Sequence, residues 1–209
     1  MSKHIEQMKA STAKNGYRVV ATVVVILFSA FLARASYGQR ILEKADAGIE
    51  GREFVEIDWA DFDDDGDLDL AISGSNDTEI YENTSSGGDI SFEKKNLGLE
   101  NLIGDIEWVD YNNDGNVDLI TSGRLGDSTK TFTYKNDGSG NLTKHENNVE
   151  GGVKVRPGDY DSDGEVDIVV VGSLNDEKSK IYRNEGGSFV EVDADLPRIE
   201  VGSADWADF

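Results

Sequence analysis

Short apolar runs with a period of two alternate along this chain with acidic, Gly- and Asn-rich stretches. Leu68-Asp-Leu-Ala-Ile72, Val117-Asp-Leu-Ile-Thr121 and Val166-Asp-Ile-Val-Val170 place apolar side chains at every second position. That is the repeat of a half-buried strand and not of a helix. The intervening positions are polar in the first two runs and partly apolar in the third. A glycine, Gly74, Gly123 or Gly172, is read as the end of each run. An aromatic-x-Asn step follows at Tyr81-Glu82-Asn83, Tyr134-Lys135-Asn136 and Tyr182-Arg183-Asn184. After a polar Gly-rich turn comes one more short run, near Phe92, Leu142 and Phe189. Gly and Asn between the runs supply turn conformations. The pattern predicts an all-β chain built from units of four short strands.

The units repeat. Trp59-Ala-Asp-Phe-Asp-Asp-Asp-Gly-Asp-Leu-Asp-Leu70, Trp108-Val-Asp-Tyr-Asn-Asn-Asp-Gly-Asn-Val-Asp-Leu119 and Pro157-Gly-Asp-Tyr-Asp-Ser-Asp-Gly-Glu-Val-Asp-Ile168 align without a gap, and a fourth begins at Trp206-Ala-Asp-Phe209. Their first aspartates, Asp61, Asp110, Asp159 and Asp208, lie 49 residues apart. Such a period signals a repeat architecture. Leu42-Glu-Lys-Ala-Asp-Ala-Gly-Ile49 resembles Phe92-Glu-Lys-Lys-Asn-Leu-Gly-Leu99 and is expected to be the last strand of a unit whose earlier strands are absent.

The N-terminus reads differently. Residues 1–18 carry Lys3, Lys9, Lys14 and Arg18 against one acid, Glu6; an apolar run from Val19 to Ala33 follows, then Ala33-Arg34-Ala35. This order is that of a secretory signal peptide over residues 1–35, with the mature chain starting near Ser36. At 15 residues the run is short of the ~20 that cross a bilayer, so an uncleaved membrane anchor is the weaker expectation. Without this basic segment the remainder is more acidic than the whole chain's net charge of −22. Such acidity repels nucleic acid and anionic membranes and attracts cations. There is no cysteine, so an exported domain here uses some staple other than disulfides.

That staple is expected in the loops at 61–69, 110–118 and 159–167. Positions 1, 3, 5 and 9 are Asp61, Asp63, Asp65 and Asp69, then Asp110, Asn112, Asp114 and Asp118, then Asp159, Asp161, Asp163 and Asp167. Short acidic side chains at alternate positions of a tight loop can converge on a calcium ion, which takes 6 to 8 oxygens. Position 6 is Gly66, Gly115 or Gly164, which permits the turn, and the carbonyl of position 7 (Asp67, Asn116 or Glu165) can add an oxygen. Transition metals would want imidazole or thiolate, and the only histidine after residue 35 is His145, read as a solvated surface residue. An EF-hand would need a bidentate Glu at position 12, where Ile72, Thr121 and Val170 stand.

This pattern resembles the FG-GAP/VCBS repeat of integrin α-subunit propellers and of exported bacterial proteins, over residues 36–209. The resemblance implies β-propeller blades of four antiparallel strands, about 49 residues each, with one calcium in the loop joining the first two strands of each repeat. Asn112 replaces an acid, Pro157 replaces the tryptophan, and the Gly-Ala-Pro portion of the integrin repeat is absent, which places the chain nearer the bacterial branch. Three complete blades cannot close a ring of 4 to 8, so an incomplete propeller, part of a longer protein, is expected.

Three functions compete. The first is a secreted or cell-surface adhesion module that recognises a protein or glycan. The second is the propeller part of a polysaccharide-active enzyme such as a lyase, which would need a placed acid or base in a pocket. No Ser/His/Asp or Cys/His constellation is present, so no catalytic residue is named. The third is a structural spacer in a larger surface protein.

Overall fold

The computed structural model describes residues 47, 49, 53, 56–74, 77–145, 147, 149–172, 179–199 and 202–207. The N-terminal segment 1–35 and the fourth-loop residues Asp208 and Phe209 lie outside them, as does most of the Leu42–Ile49 segment. The described residues form strands and loops, without a helix. β1 (Glu56–Ala60), β2 (Asp69–Gly74), β3 (Asp77–Asn83) and β4 (Phe92–Lys95) make one sheet. β5 (Ile103–Val109), β6 (Asp118–Leu125), β7 (Ser128–Asn136) and β8 (Leu142–His145) make the second. β9 (Lys154–Gly158), β10 (Asp167–Val171), β11 (Lys180–Asn184) and β12 (Phe189–Val192) make the third. Every pairing is antiparallel between chain neighbours, so each sheet is a four-stranded meander like a propeller blade. The register repeats with the sequence: Trp59 faces Leu70, Trp108 faces Leu119, and Pro157 faces Ile168.

The core lies in the seams between blades. Phe62, Ala71 and Ile80 of the first blade pack with Ile106, Trp108, Leu119 and Tyr134 of the second. Tyr111 and Ile120 of the second pack with Val155, Ile168, Val170 and Tyr182 of the third. Leu119 therefore faces one seam and its neighbour Ile120 the other. This corrects the expectation of half-buried strands: β2 and β10 are buried at every residue and β6 along Asp118–Gly123. β6 lies between two neighbouring blades and so has no solvent face, and its Thr121 and Ser122 are small and uncharged, as are Ala71 and Ser73 on the face of β2 that meets the second blade. Leu68, by contrast, lies outside the strand and is exposed. Three equivalent linker residues, Ile49, Leu99 and Val149, pack against the clusters of their blades.

Gly123 does not end its strand. β6 continues to Leu125 because Gly126 and Asp127 make a tight turn into β7, with Leu125 opposite Ser128. Gly123 instead allows a close approach to Gly104 across the β5–β6 pair. A Cβ at Gly104 would fall 2.2 Å from the Ser122 carbonyl oxygen and 2.4 Å from Gly123 Cα. Backbone on both sides cannot yield cheaply, so Gly104→Ala is expected to lose about 2 kcal/mol or more in chemical denaturation.

The first strands of the blades are neighbours and carry two rungs of charge, Glu56, Asp105 and Lys154, then Asp58, Glu107 and Arg156. Asp105 accepts from Lys154 Nζ (3.2 Å), Arg156 (2.6 Å) and the Val155 N–H (3.0 Å), while Lys154 also pairs with Glu56 of the first blade. Arg156 also pairs with Glu107. Burial, and then the Asp105 carboxylate, push Glu107 up from 4.5 to about 7 against the opposing pull of Arg156. Because the folded value lies above the unfolded one, the stabilisation from this proton is complete below about 4.5 and is lost as pH rises through about 7. Wild type is thus expected to lose roughly 1–3 kcal/mol relative to Glu107→Gln between pH 5 and pH 8, read from paired denaturation curves.

Candidate metal centre

Each acidic loop joins the first two strands of its blade and is built the same way. The position-1 aspartate accepts two backbone N–H groups: Asp61 from Asp65 (3.0 Å) and Gly66 (2.9 Å), Asp110 from Asp114 (3.1 Å) and Gly115 (2.9 Å), and Asp159 from Asp163 (3.2 Å) and Gly164 (3.0 Å). The position-5 carboxylates of Asp65, Asp114 and Asp163 accept the N–H of position 7 at 2.8–3.0 Å. Such a curl needs left-handed backbone twice. Position 4 has φ of +62° at Asp64, +57° at Asn113 and +63° at Ser162, and the glycine after position 5 has φ of +90° to +95°. Asp and Asn tolerate that region and glycine is free in it.

Position 9 opens the second strand and is fully buried as Asp69, Asp118 and Asp167. Asp69 accepts the N–H of Phe62 (3.1 Å) and of Asn83 (2.7 Å), and Asp167 those of Tyr160 (3.0 Å) and Asn184 (2.8 Å). Asp118 accepts the N–H of Asn136 (2.8 Å) and the Asn112 amide (2.6 Å). Burial raises all three, Asp69 and Asp118 to about 6, against the pull of these donors. A carboxylate desolvated beside other acids is one that a cation would relieve.

Asp61, Asp63 and Asp65 offer carboxylate oxygens that all lie within 4.8 Å of one another, and Asp159, Asp161 and Asp163 do the same. Asp63 Oδ1 is buried without any hydrogen-bond partner. Burial, then Asp65, Glu82 and Asp61, raise its pKa. Hard oxygen donors converging around an orphaned buried oxygen fit a divalent cation such as calcium. In the middle loop the third member of the trio is Asn112. Burial pushes Asp114 up, but the Asn116 N–H and the ammonium of Lys135, 3.1 Å away, outweigh it and hold it low. At position 7 the side chains have other partners: Asn116 donates to Asp114 (2.9 Å) and Glu165 accepts the Gly186 N–H (2.6 Å). Asp67 is exposed. His145 is exposed on β8, stacked at 6.3 Å on Tyr111.

The asparagine of the aromatic-x-Asn step has a role that strand pattern alone did not reveal. Asn136 Nδ2 donates to the Val117 carbonyl (2.8 Å) of its own loop and to the Phe62 carbonyl (2.6 Å) of the preceding blade's loop. Asn184 does the same with Val166 (3.0 Å) and Tyr111 (2.6 Å). Asn113 also reaches the Gly164 carbonyl at 3.1 Å. The loops are thus one connected belt along one end of the sheets. Its seam chemistry continues at the fourth unit, where Trp206 stacks on Tyr160 (6.0 Å) and donates to the Arg156 carbonyl, as Trp108 stacks on Phe62 (5.7 Å).

Four-stranded meanders, each with an acidic loop between its first two strands, define a protein of propeller-like blades. Residues 61–121, from the first loop to the middle of β6, match the FG-GAP-like repeat. No curated protein matches the chain. Among solved structures, one described as the basis of specific recognition of non-reducing terminal N-acetylglucosamine by an Agrocybe aegerita lectin is similar at 21% identity and a TM-score of 0.44. The match covers 65% of this chain and 36% of that one, so the chain spans about a third of the lectin's length.

Proposed function

We propose that this chain is an exported, calcium-stapled recognition module and not an enzyme. The observation that carries the metal reading is the buried, unpartnered Asp63 Oδ1 inside a trio of converging carboxylates. Calcium there would join Asp61, Asp63, Asp65 and Asp69 and so fix the start of β2 to the loop before it. Asp159, Asp161, Asp163 and Asp167 would do the same at β10. An exterior compartment at about millimolar calcium supplies the ion at the affinity such modules use.

A belt of hydrogen-bonded loops along one end of several blades gives a surface on which a protein or glycan can be recognised. The test is a glycan array probed with the full chain, with calcium and with chelator. Calcium-dependent retention of a glycan is expected. Release of a cleaved product would instead place the chain in a polysaccharide-active enzyme, and binding to nothing, on this array and on a panel of surface proteins, would leave it a spacer.

A further inference from the structure

We propose that Lys135 is a built-in counter-cation of the middle loop, and that this loop binds calcium far more weakly than the first and third. The proposal rests on reading the acidic loops as calcium sites. The three loops share a backbone but not a charge. In the first, Asp64 and Asp67 add to the trio of acids, and the side chain at the place of Lys135 is Glu82, an acid ion-paired with Lys95, so the cation nearest this loop is held by Glu82 and not by a loop carboxylate. In the third the trio is intact, and Arg183, which occupies the place of Lys135, forms its ion pair with Glu185 and acts on Asp161 only through its longer-range field.

The middle loop has Asn112 and Asn116 where the other loops have acids. Its remaining oxygens are engaged by the chain's own donors. Lys135 Nζ lies 3.1 Å from Asp114 Oδ2, Asn116 Nδ2 donates to Asp114 Oδ1 at 2.9 Å, and Asn112 Nδ2 donates to Asp118 Oδ2 at 2.6 Å. Asp63 Oδ1 of the first loop is buried and unpartnered, whereas no oxygen of the middle or third loop is so among the described residues; what separates the third loop from the middle one is its intact trio of converging carboxylates. A cation entering the middle loop would have to displace an ammonium and two amides and would meet fewer charges. Because ligand charge sets calcium affinity over several orders of magnitude, a deficit of at least about tenfold is expected.

Calorimetric titration of the full chain with calcium alone tests this, because it counts sites as well as measuring affinity. Two sites per chain are expected in wild type, with Asp110→Asn leaving the count at two and Asp61→Asn lowering it to one. Lys135→Glu, a change at a half-exposed side chain that leaves the core untouched, should bring a third site into the same range. Three equivalent sites in wild type would overturn the proposal and leave the calcium reading standing. Two sites in wild type and still two in both Lys135→Glu and Lys135→Met would overturn the role of Lys135. Absence of binding in every variant would overturn both readings.

Discussion

Asn136→Ala is expected to destabilise the protein by about 3–5 kcal/mol, more than a typical single substitution. Asn136 is fully buried. Truncation leaves the Phe62 and Val117 carbonyls without this donor and the Gly138 N–H, which Asn136 Oδ1 accepts at 3.0 Å, without its acceptor. Each orphaned buried group costs roughly 1–3 kcal/mol. Asn184→Ala should behave alike, since it strips the Tyr111 and Val166 carbonyls and the Gly187 N–H. Asn83 is the internal comparison. Its amide donates to the Leu68 carbonyl of its own loop (3.1 Å) and its Oδ1 accepts the Ser85 N–H (3.1 Å), so only the inter-blade bond is missing, and Asn83→Ala should cost about two thirds as much. Urea denaturation of the three variants checks the ranking; equal losses at all three would mean that the inter-blade bonds contribute nothing.

The difference between these asparagines shows where sequence reading reaches its limit. The four-strand unit and its 49-residue period were legible because each strand and turn is specified locally, by period-two runs and by Gly and Asn at the turns. The loops were legible for the same reason, since Asp61 to Asp69 form their geometry within one short stretch. The seams were not. That Asn136 bonds to Phe62, 74 residues earlier, follows from how blades stack, although its recurrence in each Tyr-x-Asn step was a visible signal. Burial of β2, β6 and β10 on both faces was hidden because Ser73, Thr121 and Ser122 are polar by type and yet sit in a seam. Ser73 and Ser122 donate to the backbone of the following linkers, at Leu102 and Gly152. The charge differences among loops were readable, but that Lys135 lands on Asp114 required the register of β7 against β6.

Calcium is expected to have an effect of similar size, spread over the loops. At ~1 mM free ion, a site with a dissociation constant of ~0.1 mM stabilises by RT ln 11, about 1.4 kcal/mol. Two such sites, in the first and third loops, give about 3 kcal/mol, a substantial part of a typical 5–15 kcal/mol stability. For a chain of this size that corresponds to roughly 6–12 °C in Tm. The buried acids Asp69 and Asp167 supply the physical reason, since without a cation each must stay desolvated beside its neighbours or take up a proton.

The most direct test is a thermal melt of the full chain at ~1 mM calcium and again in excess chelator, on wild type, Asp63→Ala and Asp127→Ala. Asp127 lies in the exposed turn between β6 and β7, away from every acidic loop. If calcium staples the first and third loops, chelator lowers the wild-type Tm by about 6–12 °C, Asp63→Ala loses about half of that calcium response, and Asp127→Ala keeps all of it. A wild-type melt that chelator leaves unmoved, or an Asp127→Ala variant as impaired as Asp63→Ala, would contradict the calcium reading.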